Sequence, residues 1–182
     1  MTIHTTHPFA DPAGDRDPAR RLRGRLGGVV TLWTHGDLAD RGAVGLTVSS
    51  LLVVGGEPPA VLGLIDPDSD LAAALAVGST YAVSLLEWRH RDLAEVFAGL
   101  APSPGGPFAT GEWEQTDAGP VPRGVRDHAV ARVRDLREVG WSLLVDAELV
   151  AVTLADGEPE TPDAQPLVHR RGRYQRPRGE DG

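Results

Sequence analysis

Residues 44–54 run Val44-Gly45-Leu46-Thr47-Val48-Ser49-Ser50-Leu51-Leu52-Val53-Val54, and this stretch sets the fold class. Its alternation puts Leu46, Val48 and Ser50 on one face of a strand and Gly45, Thr47 and Ser49 on the other. A similar run precedes it. Gly28-Val29-Val30-Thr31-Leu32-Trp33-Thr34 is bounded by glycines and by His35-Gly36-Asp37, which describes a strand ending in a turn. Downstream, Pro58-Pro59 breaks the chain, and residues 60–65 form a third, largely buried strand.

Working outward, Ser69 stands as an N-cap before Asp70-Leu71-Ala72-Ala73-Ala74-Leu75, a short helix closed by Gly78. Tyr81, Val83 and Leu85 alternate with Ala82 and Ser84 in a fourth strand. The period then changes: Leu93, Val96, Phe97 and Leu100 share one side of a helix. Residues 101–119 make a long surface excursion anchored by Phe108 and Trp113. Residues 129–139 and 142–154 are two long β-like runs forming a hairpin, and a change of face near Leu149 predicts a bulge. Residues 156–165 are loop, and residues 166–169 add a last short strand. At the other end, Asp17-Pro18 opens a helix over residues 18–26. Strands of this length and number, with few short helices, predict a mainly β domain closed as a barrel to hide its edges. The expected organisation is a flexible arm over residues 1–18, one domain over 19–175 and a flexible tail over 176–182.

Composition narrows the function classes. The chain has 182 residues, 41% of them hydrophobic, which suits one domain. No run approaches the roughly 20 apolar residues that cross a bilayer, so no membrane partner is expected. The first residues lack a basic-then-apolar export pattern, which predicts a cytoplasmic location. With no cysteine there is neither a disulfide framework nor a thiolate ligand or nucleophile. A net charge of −8 argues against nucleic acid as partner. The arginines of the tail (Arg170, Arg171, Arg173, Arg176 and Arg178) read on composition as a solvated end.

Phosphate-loop, dinucleotide, metalloprotease and serine-hydrolase motifs are absent. The six histidines lack metal-ligand spacing, so no metal site and no catalytic side chain is assigned. What remains is an ordered set of small hydroxylated residues and glycines: Thr31 and Thr34 on one strand, Gly45 to Ser50 on the next, and Asp66-Pro67-Asp68-Ser69 after the third. Such residues let backbone donors approach a flat, heteroatom-rich ring, and a serine at a helix start suits a phosphate. Taken alone they are equally ordinary strand residues and a helix cap.

Their order along the chain resembles the flavin reductase-like, FMN-binding split-barrel family. The resemblance is carried by Val29-Val30-Thr31, Gly45-Leu46-Thr47-Val48-Ser49-Ser50, Pro58-Pro59, Ser69, Tyr81-Ala82-Val83-Ser84-Leu85-Leu86, Leu93-Ala94-Glu95-Val96-Phe97-Ala98 and Pro166-Leu167-Val168-His169-Arg170-Arg171-Gly172-Arg173-Tyr174. It covers roughly residues 20 to 175 in the family's order, one whole domain. The resemblance implies a Greek-key split β-barrel, mainly β with a few short helices, working as a homodimer. It further implies a flavin-binding oxidoreductase, an NAD(P)H:flavin reductase with FMN or FAD as flavin and NADH or NADPH as donor. Such a protein supplies reduced flavin to a flavin-dependent monooxygenase. By the same resemblance Thr47, Val48, Ser49 and Ser50 line the ring with Thr31 and Thr34 beside it. Asp66 and Ser69 face the phosphate, and Arg171, Arg173 and Tyr174 pack near the site or the dimer seam.

Three departures keep a second reading open. Gly140-Trp141-Ser142 stands where family members carry G-D-H, whose histidine helps with the nicotinamide. The loop Asp66-Pro67-Asp68-Ser69-Asp70 holds three carboxylates, and each like charge near a phosphate costs on the order of 1 kcal/mol. The strand entering the hairpin, Gly124-Val125-Arg126-Asp127-His128-Ala129, is unusually polar. The alternative is an FMN-binding dimeric protein with little or no NAD(P)H oxidation, acting as partner, sensor or scaffold.

Overall fold

The computed structural model describes residues 18–157, 159 and 161–176. Of the expected arm (residues 1–18) and tail (176–182), residues 1–17 and 177–182, Arg178 included, lie outside the described residues.

The described residues open with helix α1 (Pro18–Leu26), ended by Gly27 at φ 68°, the left-handed conformation that glycine adopts without a Cβ penalty. Twelve strands follow among the described residues. β1 (Gly28–Val29) and β2 (Thr31–His35) are one run broken at Val30, and β3 (Val44–Val48) and β4 (Leu51–Val54) are one run broken at Ser49-Ser50. Next come β5 (Ala60–Ile65), helix α2 (Asp70–Ala74), β6 (Thr80–Leu85) and helix α3 (Arg91–Phe97). The excursion that follows contains a small hairpin, β7 (Trp113–Gln115) with β8 (Pro120–Pro122). The long hairpin is β9 (His128–Val139) with β10 (Ser142–Thr153), and the last strands among the described residues form a third hairpin, β11 (Val168–Arg170) with β12 (Arg173–Gln175).

Seven strands form one antiparallel sheet in the order β3-β2-β6-β9-β10-β5-β4. Its two edge strands, β3 and β4, are separated in sequence only by Ser49-Ser50. The sheet therefore curls until residues 44–54 bridge both edges, pairing with β2 through β3 and with β5 through β4. The Leu64 amide continues the ladder to the Ser50 carbonyl at 2.9 Å. This is the split barrel, with the serine pair at its seam.

Strand β6 shows why the interior holds. Tyr81 and Val83 point into the barrel with Trp33, Val61, Val133 and Val145, whereas Ala82 packs under Ala118 and Val121 outside it. Trp33 and Tyr81 stack with centroids 4.8 Å apart and are wholly buried. Each contributes about 4–6 kcal/mol at 25 cal/mol per Å² of apolar surface. A second layer outside the sheet joins Val30, Leu32 and Leu86 to Leu93, Ala94 and Phe97 of α3 and to Leu167. Phe108 and Trp113 both meet Phe97 edge-on, so the excursion is anchored as its aromatics predicted.

The bulge expected near Leu149 appears as a register shift between Leu149 and Ala151, and a second lies between Asp146 and Ala147. Helix α2 ends at Ala74 rather than Leu75, because Leu75 takes up an extended conformation, and Gly78 serves the turn beyond it. Helix α3 stops at Phe97, short of Leu100 at the end of the apolar spacing, where Gly99 turns the chain at φ 70°, and a tighter turn over residues 88–90 leads into it. The β7–β8 and β11–β12 hairpins carry no apolar alternation in sequence. They exist because the barrel gives them a surface to pair on.

Candidate functional site

The seam positions most of the residues singled out from sequence. Thr31 stands opposite Val48, and its buried hydroxyl donates to the Val48 carbonyl at 2.8 Å. Thr47, on the other face, donates to the Ala94 carbonyl of α3 at 2.8 Å. Val48 itself belongs to the barrel core. Ser49 and Ser50 come next and are half-buried, and neither hydroxyl is engaged among the described residues. Thr34 lies farther along β2, where its buried hydroxyl donates to the Pro120 carbonyl at 2.6 Å. The Thr31 and Thr34 hydroxyls thus bind backbone carbonyls inside the fold, because β2 is covered on both faces.

Against the seam lies β1, from a separate three-stranded sheet β1-β11-β12 outside the barrel. A Cβ placed on Gly28 would stand 2.6 Å from the Ser49 carbonyl oxygen. Strand β1 pairs with β11, Gly28 opposite His169 and Val29 opposite Val168, so the last hairpin sits beside Ser49. Arg171 and Gly172 form its turn at φ 53° and 75°, and Arg171 and Arg173 are exposed. Tyr174 is half-buried against the α3 layer and packs edge-on to His169 at 5.6 Å. Burial, then the Glu95 carboxylate, pushes the Tyr174 phenol up; burial, then the Arg23 guanidinium, pushes the His169 imidazole down. The hairpin is tied back through Arg176, which reaches Asp163 at 2.7 Å and lies 4.7 Å from the centroid of Trp88.

On the other flank, Asp66 to Ser69 continue from β5. Ser69 caps α2: its hydroxyl accepts from the Ala72 amide at 3.2 Å and donates to the Asp66 carbonyl at 2.7 Å. An Asp66 carboxylate oxygen accepts from the Asp68 amide at 2.9 Å. Leu143 stands opposite Ile65, so the β9–β10 tip reaches the level of this loop, and Trp141 at that tip is 80% exposed. The structure therefore gathers the serine pair, the Asp66–Ser69 loop and the Arg171–Tyr174 hairpin around one end of the seam, and leaves Thr34 apart.

Two contributors escaped the sequence reading. Gly27-Gly28 was visible only as a strand boundary, although the pair marks the close approach to Ser49. The α1 arginines gave no signal of their own, because only the folded chain brings them to the hairpin. Among the described residues no group of histidine, aspartate and glutamate gathers as for a metal, and no helix is long and apolar enough to cross a membrane.

The profile of the flavin reductase like domain matches residues 23–178. The chain is 26% identical over 172 residues to an FMN reductase (NADH), RutF, of Variovorax paradoxus, covering 94% of this chain and 91% of that one. It is 26% identical over 132 residues to the 4-hydroxyphenylacetate 3-monooxygenase reductase component of Pseudomonas aeruginosa, covering 71% and 76%. Among solved structures, the NADH:FAD oxidoreductase SgcE6 of Streptomyces globisporus, in complex with NAD and FAD fragments, superposes with a TM-score of 0.76 at 25% identity, over 94% of this chain and 98% of that one.

Proposed function

The chain belongs to the flavin reductase-like family, and on that premise we propose that it is an NAD(P)H:flavin reductase supplying reduced flavin to a flavin-dependent monooxygenase. The observation that carries the reading is the seam. Ser49 and Ser50 interrupt the segment that bridges both sheet edges, and neither hydroxyl has a partner among the described residues. A planar ring rich in carbonyls and nitrogens suits such donors, and a strand break leaves backbone amides without ladder partners. These residues fit a flavin ring, FMN or FAD.

A bound flavin would supply the hydride-accepting chemistry, which needs no general acid or base from the protein. The protein's part is to bind and orient. Ser49 and Ser50 would donate to the ring's polar edge, where fixed donors stabilise developing negative charge. Thr31 and Thr47 act indirectly: each ties its strand to a carbonyl, so the seam keeps its shape. The buried barrel behind Val48 keeps water from that side.

The homodimer has its own support. Edge strand β4 exposes Leu52 and Val53 at 68% each and Val54 at 45%, a bare apolar edge of the kind that a partner copy covers. A cytoplasmic setting agrees with the use of NAD(P)H.

A second reading, a flavin-holding partner without nicotinamide oxidation, is favoured by one observation: the hairpin tip Gly140-Trp141-Ser142 carries an exposed indole and has Ser142 where the G-D-H pattern has its histidine. Titrating FMN into the purified protein by fluorescence quenching, then adding NADH or NADPH, separates the two. Binding followed by bleaching of the flavin band supports the reductase. Binding without bleaching supports the partner, and no binding overturns both.

A further inference from the structure

All 18 cationic side chains of this acidic protein are arginines, and six of them crowd one corner. Arg21, Arg23 and Arg25 come from α1, and Arg170, Arg171 and Arg173 from the β11–β12 hairpin. The two elements are joined directly. The Arg171 amide donates to the Gly24 carbonyl at 2.7 Å, Arg170 Nε donates to the Arg25 carbonyl at 3.2 Å, and the Arg170 side chain would touch a Cβ on Gly27 at 3.4 Å. With the hairpin resting on Gly24, helix geometry puts Arg21 and Arg25 on one flank of the contact and Arg23 on the other. All six are exposed, and none has a carboxylate partner among the described residues.

Several of these placements are unfavourable for an isolated protein. Arg170 stands directly opposite Arg173 across the hairpin, where like charges repel. Arg21 and Arg25 are spaced i, i+4, again like charges on one helix face. Arg171 holds a left-handed φ of 53°, a conformation that asparagine or glycine takes at less cost. The C-terminal pole of α1 accounts for part of the attraction toward Arg23 and Arg25. Its last carbonyls also hold Arg170 Nε and the Arg171 amide, but the guanidiniums of Arg171 and Arg173 have no partner among the described residues. A bound polyanion relieves every one of these repulsions together.

The corner also has an address. Gly28 and His169 carry it to Ser49, at the ring seam. The loop on the other side of the seam is poorly suited to phosphate: the Ser69 hydroxyl is already bonded to Asp66 and Ala72, and Asp66, Asp68 and Asp70 surround it with negative charge. We infer that the six arginines seat the diphosphate of a dinucleotide whose ring lies at the Ser49–Ser50 seam. The inference rests on the flavin reductase reading and deepens it. The diphosphate comes from FAD or from the nicotinamide dinucleotide, and the chemistry that recognises it is the same: planar guanidinium donors meeting phosphate oxygens in pairs.

The test compares the full-length protein with two double variants, Arg21→Gln with Arg25→Gln, and Arg171→Gln with Arg173→Gln. Riboflavin, FMN, FAD, NADH and ADP are titrated into each by fluorescence or calorimetry. Charge-assisted bonds of this kind predict a loss of about tenfold for the diphosphate ligand, with riboflavin unchanged. A loss confined to FAD and ADP assigns the flavin's diphosphate; a loss confined to NADH and ADP assigns the nicotinamide's. FAD, NADH and ADP all within about twofold of the parent protein, or riboflavin lost in step with FAD, overturns the inference. Salt gives a check on the unmodified protein: dinucleotide affinity falls as sodium chloride rises while riboflavin affinity holds, and equal salt response overturns the inference. The two readings fail separately. A parent protein that binds no flavin removes the reductase reading, and its ADP binding, lost or kept in the doubles, still decides the role of the arginines.

Discussion

Gly28 and Ser49 are packed backbone to backbone: the Cβ that Gly28 lacks would stand 2.6 Å from the Ser49 carbonyl oxygen, closer than a methyl group can approach. The first strand thereby pins the seam from outside the barrel. Gly28→Ala must push Ser49 and its neighbour away, at a cost of about 1–3 kcal/mol from overpacking. Thermal unfolding should show the drop, and FMN titration should show a parallel loss of affinity. Unchanged affinity in a destabilised variant would separate the seam from the ring site.

Ser49→Trp tests the ring site itself. Ser49 is half-buried and its hydroxyl has no partner among the described residues, so an indole there projects from the seam without displacing core residues. Flavin affinity should fall by about tenfold or more as the indole takes the space proposed for the ring, while the melting temperature stays close to the parent's. Full flavin affinity in this variant would move the ring elsewhere.

Much of the fold is written in the local pattern, because alternation and caps act over a few residues. The bounds of α1, the long hairpin, the bulge after Leu149 and the cap by Ser69 all follow from neighbours in sequence. The break of residues 44–54 into β3 and β4 does not, because it arises where one segment must serve two edges of a curled sheet. Thr31 and Thr34 show the same limit. Alternation says which residues share a face, but not that both faces of β2 are covered, and so not that both hydroxyls end on carbonyls within the fold. The meeting of α1 with the last hairpin joins residues nearly the whole chain apart, and no local signal reaches that far.

Gly63→Ala probes the barrel interior. A Cβ on Gly63 would collide with the indole of Trp33, which is wholly buried and stacked on Tyr81. The indole cannot yield without moving Tyr81, so the expected cost is about 2–3 kcal/mol. At this chain length that lowers the melting temperature by about 4–12 °C. A smaller shift would mean the Trp33–Tyr81 pair is looser than its packing indicates.

His90 gives a pH signature. Burial, and then the Arg89 guanidinium, push its imidazole down to about 4, and its Nδ1 accepts from the Glu87 amide at 3.2 Å, which requires the neutral ring. The unfolded chain therefore binds the proton more readily than the folded one. Its contribution to stability is complete above the ordinary histidine pKa of about 6.5 and is lost as pH falls from there toward 4. In His90→Asn the side-chain carbonyl can accept the same amide without titrating. Melting temperatures measured from pH 7 to pH 4 should fall less steeply in this variant than in the parent protein, and parallel curves would refute the assignment.

Trp141 at the hairpin tip is 80% exposed and contributes little to packing, yet the register sets it level with the Asp66–Ser69 loop beside the seam. An indole left bare at such a place is suited to stacking on a ring ligand, flavin or nicotinamide. Aromatic contacts of this kind contribute about 0.5–1.5 kcal/mol. Trp141→Ala should therefore weaken one ring ligand by about two- to tenfold while leaving the melting temperature unchanged. A rise in the KM for NADH with constant FMN affinity would place the indole on the nicotinamide side. A weakened FMN complex with constant KM would place it over the flavin. With neither moved, Trp141 would face away from the ligands, toward a partner surface beyond the seam.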